Sequence, residues 1–442
     1  MYNNEPAQPP GPSRTDNKEV AMNNQRILLS LFAIYLVFAI LLNSVGTVIL
    51  QVINSYGVSK SAASVLEGFK DIPIGIVSFL VASQLPRFGF KRAMLTGLGI
   101  VTAACLCMPL LPGFWTAKLL FLCVGVSFAL VKVAVYSSIG LLAGDRKEHA
   151  GMVNTLEGVF MVGVLGGYWL FSAFIDSADP TSTAWLNVYW VLAGICALAF
   201  VLLWTTEMDE SGTRVDGDSP LQEFFAMLRL VAKPLVCIYV ISAFVYVLIE
   251  QGIGTWLPTF NNEILKLPAP MSVQATSTFA AGLAVARLGA GAIMRRMHWY
   301  PVLNSCLLAM AALVVLTLPL ADNVQANPEI NWLNAPVAAF ILPLIGLFMA
   351  PIYPAINSVM LSSLPKHQHS AMTGLLVIFS ALGGTTGSLI TGSVFEAYDG
   401  QFAFYLSLVP IGMILLSLYF FRRAVERDGG ADFTGVAASA PH

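Results

Sequence analysis

Apolar runs follow one another along almost the whole chain, separated by short polar turns. About 20 apolar residues at about 1.5 Å each are needed for a helix to cross the hydrocarbon core. By that measure the pattern predicts twelve spans: 27–53, 62–84, 93–111, 117–143, 151–175, 186–206, 234–258, 272–294, 301–320, 333–360, 371–395 and 402–421. One long hydrophilic stretch, "TEMDESGTRVDGDSPLQEF", lies between the sixth and seventh. It divides the chain into a six-span half at 26–206, a central loop at 207–233 and a second six-span half at 234–424. Residues 1–25, polar and Pro-rich, and the tail 425–442 are expected to be disordered. The start lacks the short apolar core of a cleavable signal, so the first span is expected to be retained.

The two halves resemble each other. "LLNSVGTVIL" (41–50) lines up with "IEQGIGTWLP" (249–258) at an offset of 208, as does "RFGFKR" (87–92) with "RRMHWY" (295–300). Span 4, "GVSFALVKVAVYSS", aligns with span 10, "GLFMAPIYPAINSV", at an offset of 221. Span 5 aligns with span 11 at 220, placing His149 on His369, Met152 on Met372, Gly163 on Gly383 and Gly167 on Gly387. Matches in a common order indicate duplicated halves related by an axis along the membrane normal.

Composition agrees with a polytopic membrane protein. Of the 442 residues, 57% are hydrophobic and 11% charged, against about 25% charged in soluble domains. Net charge is −2, with no basic tract suited to nucleic acid. All six cysteines fall inside apolar runs, as small hydrophobes rather than a disulfide or metal framework. Basic residues set the orientation. With both termini and the central loop inside, 17 of the 23 lie on the cytoplasmic side; Lys60, Lys118 and Lys266 lie outside, and Lys70, Lys132 and Arg287 within spans. The expected location is the inner (plasma) membrane, multi-pass, with cytoplasmic N- and C-termini.

Twelve spans, a six-plus-six repeat and a long central loop resemble the major facilitator superfamily (MFS) over about residues 26–424. Between spans 2 and 3 that family carries Gly, three residues, Asp-Arg, one residue, Gly and two basic residues. "ASQLPRFGFKR" keeps Arg87, Gly89, Lys91 and Arg92, but has Ala82 for the first Gly and Pro86 for the Asp. The resemblance implies that the Asp joins a charge network holding the outward-facing state, which this chain must manage otherwise. "VLIEQGIGTWLPTF" in span 7 and "GLFMAPIYPAINS" in span 10 are similar to the fucose-permease-like, sugar:proton symporter branch. That branch has acids in spans 1 and 4; here no acid lies between Glu19 and Glu67, and span 4 offers Lys132. The resemblance implies an all-α MFS fold in which spans 3, 6, 9 and 12 are peripheral and the other eight line a central cavity.

An ionisable residue at mid-bilayer costs several kcal/mol unless it meets water or a partner, which makes it a functional candidate. Seven fall within spans, on spans 2, 4, 5, 7 and 8 and none on the four peripheral ones. Lys132 lies 14 residues after Lys118 and 13 before Asp145, close to the midplane and too deep to snorkel. It is read either as a cavity cation for an anionic or hydroxyl-rich substrate or as a structural ion-pair partner. Glu157 pairs with Lys132 or Arg287, or carries a proton; Glu250 is a binding or coupling acid beside Gln251. Arg287 reads as a gate salt bridge or an interface residue. Tyr136, Asn43, Tyr353 and Asn357 supply rings and amides suited to a sugar-like ligand. Glu67, Lys70 and Asp71 share one helical face, either hydrated at the outer mouth or forming an outer gate or cavity rim, with Lys70 and Asp71 the deeper members.

The expected function is secondary active transport of a small polar solute, a sugar or sugar acid, by alternating access with proton coupling. The substrate-binding set is Lys132, Tyr136, Asn43, Glu250, Gln251, Tyr353 and Asn357. The coupling or gating set is Glu67, Lys70, Asp71, Glu157, Arg287 and Arg87. Partners are a small-molecule substrate, a proton (or sodium) and the lipid bilayer, with no nucleic acid, no cofactor, no metal and a monomeric state. No nucleotide-binding Gly-rich loop is present to let ATP drive transport. Efflux of amphipathic compounds by antiport is the alternative, disfavoured because "GVLGGYW" in span 5 lacks a late proline. A membrane-embedded enzyme or nutrient sensor is the alternative of another class. It lacks a catalytic set near one bilayer face, since the five histidines sit in loops or the tail.

Overall fold

The computed structural model describes residues 14–82, 85–143, 145–208, 210, 229–294, 296–322, 324–327, 329–362 and 369–427. Regular structure among the described residues is all helical, with no strand. In the first half, α1 (Arg14–Asn43), α2 (Val45–Tyr56), α3 (Lys60–Ala63) and α4 (Val65–Ala82) supply spans 1 and 2. They are followed by α5 (Leu85–Phe88), α6 (Phe90–Leu110), α7 (Phe114–Leu142), α8 (Arg146–Ser172) and α9 (Val188–Trp204). The second half has α10 (Pro234–Gly254), α11 (Leu257–Glu263), α12 (Ala269–Met294), α13 (Trp299–Thr317), α14 (Ala338–Ile341), α15 (Ile345–Met349), α16 (Ile352–Ser362), α17 (His369–Ala397), α18 (Gly400–Tyr405) and α19 (Leu408–Arg427).

Among the described residues, ten segments are long and apolar enough to cross a membrane. The expected spans 2 and 8 are not among them. Their helices, α4 and α12, carry the Glu67–Lys70–Asp71 trio and a run of Ala, Gly, Ser and Thr, and both pack at the centre of the bundle. Several expected spans are broken rather than continuous, span 2 at Ser64 and span 12 at Leu406 and Ser407 among them. Span 1 breaks at Ser44, whose hydroxyl donates to the Leu41 carbonyl at 2.8 Å. Span 7 breaks at Thr255–Trp256, ahead of Pro258 in the first turn of α11. Span 10 is divided into α14, a 3-10 turn at Leu342–Leu344, α15 and α16, because Pro343 and Pro351 bring no N–H to a helical ladder. At the ends, helix extends further than expected: α1 begins at Arg14, since 14–25 holds neither Pro nor Gly, and α19 runs to Arg427. Most of the central loop (209 and 211–228) lies outside the described residues, as does His367.

The halves repeat in their packing. In the first, α1 packs on α8 and α9, α4 on α7, and α6 on α9; in the second, α10 packs on α17 and α19, α12 on α15, and α13 on α19. The seam between halves is made by α4 against α17, α8 against α12, and α2 against α11. The peripheral helices α6, α9, α13 and α19 expose large apolar side chains such as Leu110, Leu198, Leu316 and Leu416, the surface a bilayer covers. We call the end of the bundle holding both termini the terminal end, and the other the distal end.

Candidate functional site

Close to the middle of the seam lies a cavity of ≈ 160 Å³. The first half contributes Asn43 and Gly46, Glu67 and Lys70 of α4, and Phe160, Met161 and Tyr168 of α8. The second contributes Glu250, Gln251 and Thr255, and Phe279 and Arg287 of α12. Both signs of charge and several rings therefore face one space. Asn43 is placed there by the end of α1, its amide donating to the Ala39 carbonyl at 2.9 Å. Arg287 Nη2 lies 3.8 Å from Glu250 Oε1, and its Nη1 donates to Met161 Sδ across the seam at 4.0 Å. That places Arg287 in the cavity wall as the partner of Glu250, not of Glu157.

Beside this cavity, toward the terminal end, the first half builds an aromatic cluster. Tyr35 packs on Phe128, Tyr136 and Phe160 with ring centroids 6.2, 6.1 and 5.8 Å apart. Tyr136 donates to the Glu157 carboxylate, and Lys132 sits with its ammonium 5.8 Å from the Phe128 ring centroid. Among the described residues no carboxylate lies within 4 Å of that ammonium, and Lys132 and Glu157 are both exposed at this open side. Of the alternatives open for Glu157, pairing with Lys132 is not realised; its carboxylate takes the Tyr136 hydroxyl instead, one turn along α7 from Lys132.

In the second half Tyr353 stacks on Tyr246, one turn before Glu250, at 5.4 Å between centroids. Asn357 does not reach the cavity; its amide oxygen accepts from the Tyr239 hydroxyl at 2.7 Å. Arg87 is exposed on α5 at the terminal end, away from the cavity. In the neighbouring turn Lys91 Nζ donates to the Trp204 carbonyl at 2.9 Å, and its N–H donates to Glu210 at 2.7 Å. These bonds cap α9 and α6 and stay within the first half and its trailing loop.

The trio on α4 departs furthest from a hydrated mouth. Glu67 is 0% exposed, Lys70 5% and Asp71 8%, so the member expected to be outermost is the most buried. Lys70 donates to Glu67 and lies 3.4 Å from Asp71. Glu67 also accepts from the Thr255 hydroxyl at 2.9 Å, a bond between the two halves. Thr255, Tyr168 and Tyr35 are site neighbours that the sequence did not single out. A hydroxyl in an apolar run carries no signal until its partner is known.

Further bonds between the halves gather on the distal side of the cavity. Ser61 N–H donates to Glu396 at 2.7 Å, Lys60 pairs with Glu263 at 3.0 Å, and Gln274 donates to Ser172 at 3.0 Å. The distal end is closed, while Asn154 and Glu157 face open space on the terminal side.

Two pseudo-symmetric six-helix halves around a central polar cavity define a multi-pass membrane transporter. The family model of the Major Facilitator Superfamily matches residues 27–384, and the chain belongs to that family. Bypass of stop codon protein 6 of Saccharomyces cerevisiae is 20% identical over 414 residues, covering 88% of this chain and 81% of that protein. Among solved structures, a bacterial homologue of the human lysosomal transporter Spinster, in its inward-facing and unoccupied conformation, superposes with a TM-score of 0.74. It is 14% identical, over 92% of this chain and 98% of that one. A single-residue variant of the E. coli fucose:proton symporter FucP superposes with a TM-score of 0.56 at 16% identity, over 89% of this chain and 98% of that one. These likenesses establish the fold.

Proposed function

We propose that this transporter carries a small polar solute, a sugar or sugar acid, by alternating access coupled to protons. The observation that carries the reading is the cavity itself. It brings Glu250, Gln251, Arg287, Asn43 and Lys70 of both halves to one space beside aromatic rings, so one ligand would touch both halves and feel their relative motion. Lys132, with no carboxylate of the described residues at contact distance, favours an anionic or hydroxyl-rich ligand. The likeness to a fucose:proton symporter in fold, and in the span 7 and span 10 stretches, supports a sugar-class solute. The bias of 17 basic residues toward one side of the predicted spans supports a cytoplasmic terminal face in a plasma membrane.

Purified protein in liposomes is expected to accumulate a member of a sugar and sugar-acid panel when an inward proton gradient is imposed. The uptake is expected to collapse with a protonophore. Uptake that follows a sodium gradient instead would replace the coupling ion, and no gradient-dependent uptake across the panel would overturn the reading.

A further inference from the structure

The seam around α4 holds two carboxylates and one ammonium. Lys70 serves both Glu67 and Asp71, so the trio carries one negative charge in excess. Glu67 is well compensated, with Lys70 and the Thr255 hydroxyl as donors. Asp71 has the longer 3.4 Å contact to Lys70 and abuts Gly384 of α17, where an added Cβ would collide with its Oδ2. The other half thus presents glycine backbone, not a counter-charge, to Asp71.

The groups on neighbouring elements do not supply the missing positive charge. On α7, Lys118 lies over the Phe114 and Trp115 rings at 4.3 and 4.4 Å, and 6.0 Å from Phe69. On α8, Tyr168 is the titratable group in reach of Lys70 and Glu67. On α10, Glu250 faces Lys70 but adds negative charge, and Arg287 of α12 lies beside Glu250 at 3.8 Å. From α17 come Gly384, Thr385 and Ser388, all neutral, and Glu396 is bonded to Ser61 near the distal mouth. Lys60 of α3 is paired with Glu263 at the end of α11.

We propose that the distal gate closes with one proton taken up by the Glu67–Lys70–Asp71 trio, seated on Asp71, so that this trio is the coupling site. Closing the seam removes water from the trio, and an uncompensated charge there opposes closure. A proton on Asp71 leaves one carboxylate opposite one ammonium. Opening at the distal end exposes the trio to that side. In the closed form Glu67 and Lys70 line the central cavity, so the proton leaves toward the terminal end. This inference rests on the transporter reading, and it assigns the proton to α4 rather than to Glu157 or Glu250.

The test measures the gate without a substrate. Spin labels are placed at Ser177→Cys and Gln325→Cys, exposed distal positions in opposite halves, with the six native cysteines replaced by alanine. Inter-label distances are recorded in sodium-free liposomes across pH. The ratio of closed to open populations is expected to rise about tenfold per pH unit of acidification through the transition, the slope for one proton. Asp71→Asn and Glu67→Gln are each expected to stay closed at every pH; Gln at 67 keeps an acceptor for Thr255. Lys70→Met leaves two excess charges, and the slope is expected to approach about a hundredfold per pH unit. A wild-type distance distribution independent of pH overturns the proposal and needs no variant to fold. So does Asp71→Asn with the wild-type slope, or a gate that follows sodium at fixed pH. If no solute is transported but the slopes hold, the substrate reading fails and this one stands. If proton-driven uptake is found but Asp71→Asn keeps the slope, the reverse is true.

Discussion

Lys132 and Lys70 illustrate two ways of holding an ammonium inside a membrane. Lys70 is buried between two carboxylates, whereas Lys132 stands exposed against an aromatic ring, with no carboxylate of the described residues in contact. A lysine that is not needed to neutralise its own protein is available to a ligand. A charge-assisted hydrogen bond contributes about 1.5–3 kcal/mol. Lys132→Ala is therefore expected to weaken binding of an anionic solute at least about tenfold, with little change in melting temperature without ligand. Ligand-dependent thermal shift reads both quantities, and an unchanged affinity would reduce Lys132 to a structural residue. Positions such as Lys132 and the trio were legible in the sequence because a charge in an apolar run is costly and therefore conspicuous. Their partners were not, because Glu157 with Tyr136 and Glu67 with Thr255 are chosen by helix packing between distant segments.

Among the elements, the repeat seen in sequence reappears as a repeat of contacts. In the first half Gly163 and Gly167 of α8 rest on Leu36 and Ile40 of α1; in the second Gly383 and Gly387 of α17 rest on Phe244 and Leu248 of α10. The glycines differ by the 220 offset and their partners by the 208 offset, so both alignments are realised at once. At Gly387 an added Cβ would lie 2.9 Å from the Leu248 backbone carbons, which a helix cannot yield without separating. Gly387→Ala is expected to destabilise the protein by about 1–3 kcal/mol, seen as a lower melting temperature in detergent. Gly166→Ala, whose Cβ meets open space, is expected to be neutral or stabilising through helix propensity. Equal melting temperatures for the two variants would show that the close approach is not required. Helix existence was legible from hydropathy alone; the breaks at Thr255 and Ala350 are signalled instead by Pro258 and Pro351, and the one at Ser44 by neither. A span tolerates interruption only where other helices satisfy its backbone, and hydropathy does not report neighbours.

In the whole molecule, the bonds that join the halves gather toward one end. Gly46 of α2 lets the span 1 break meet the span 7 break, with its added Cβ 3.1 Å from the Thr255 carbonyl carbon, so the two discontinuities cross within the seam. Further out, Ser61 of α3 and Ser393 of α17 approach with their hydroxyl oxygens 3.3 Å apart. A closed distal end with an open terminal side is one of the two states that alternating access requires, and transport needs this contact to break once per cycle. Two cysteines at these positions are close enough for a disulfide, whose sulfurs bond at about 2.05 Å. Ser61→Cys with Ser393→Cys, oxidised in a background lacking the native cysteines, is expected to lock the distal end and abolish uptake. Reduction is expected to restore it, and each single variant to transport normally. Binding of solute from the terminal side should survive in the locked form, because the cross-link lies outside the cavity lining. Full transport by the quantitatively cross-linked protein would show that the contact between α3 and α17 does not need to open, and would exclude a distal gate there.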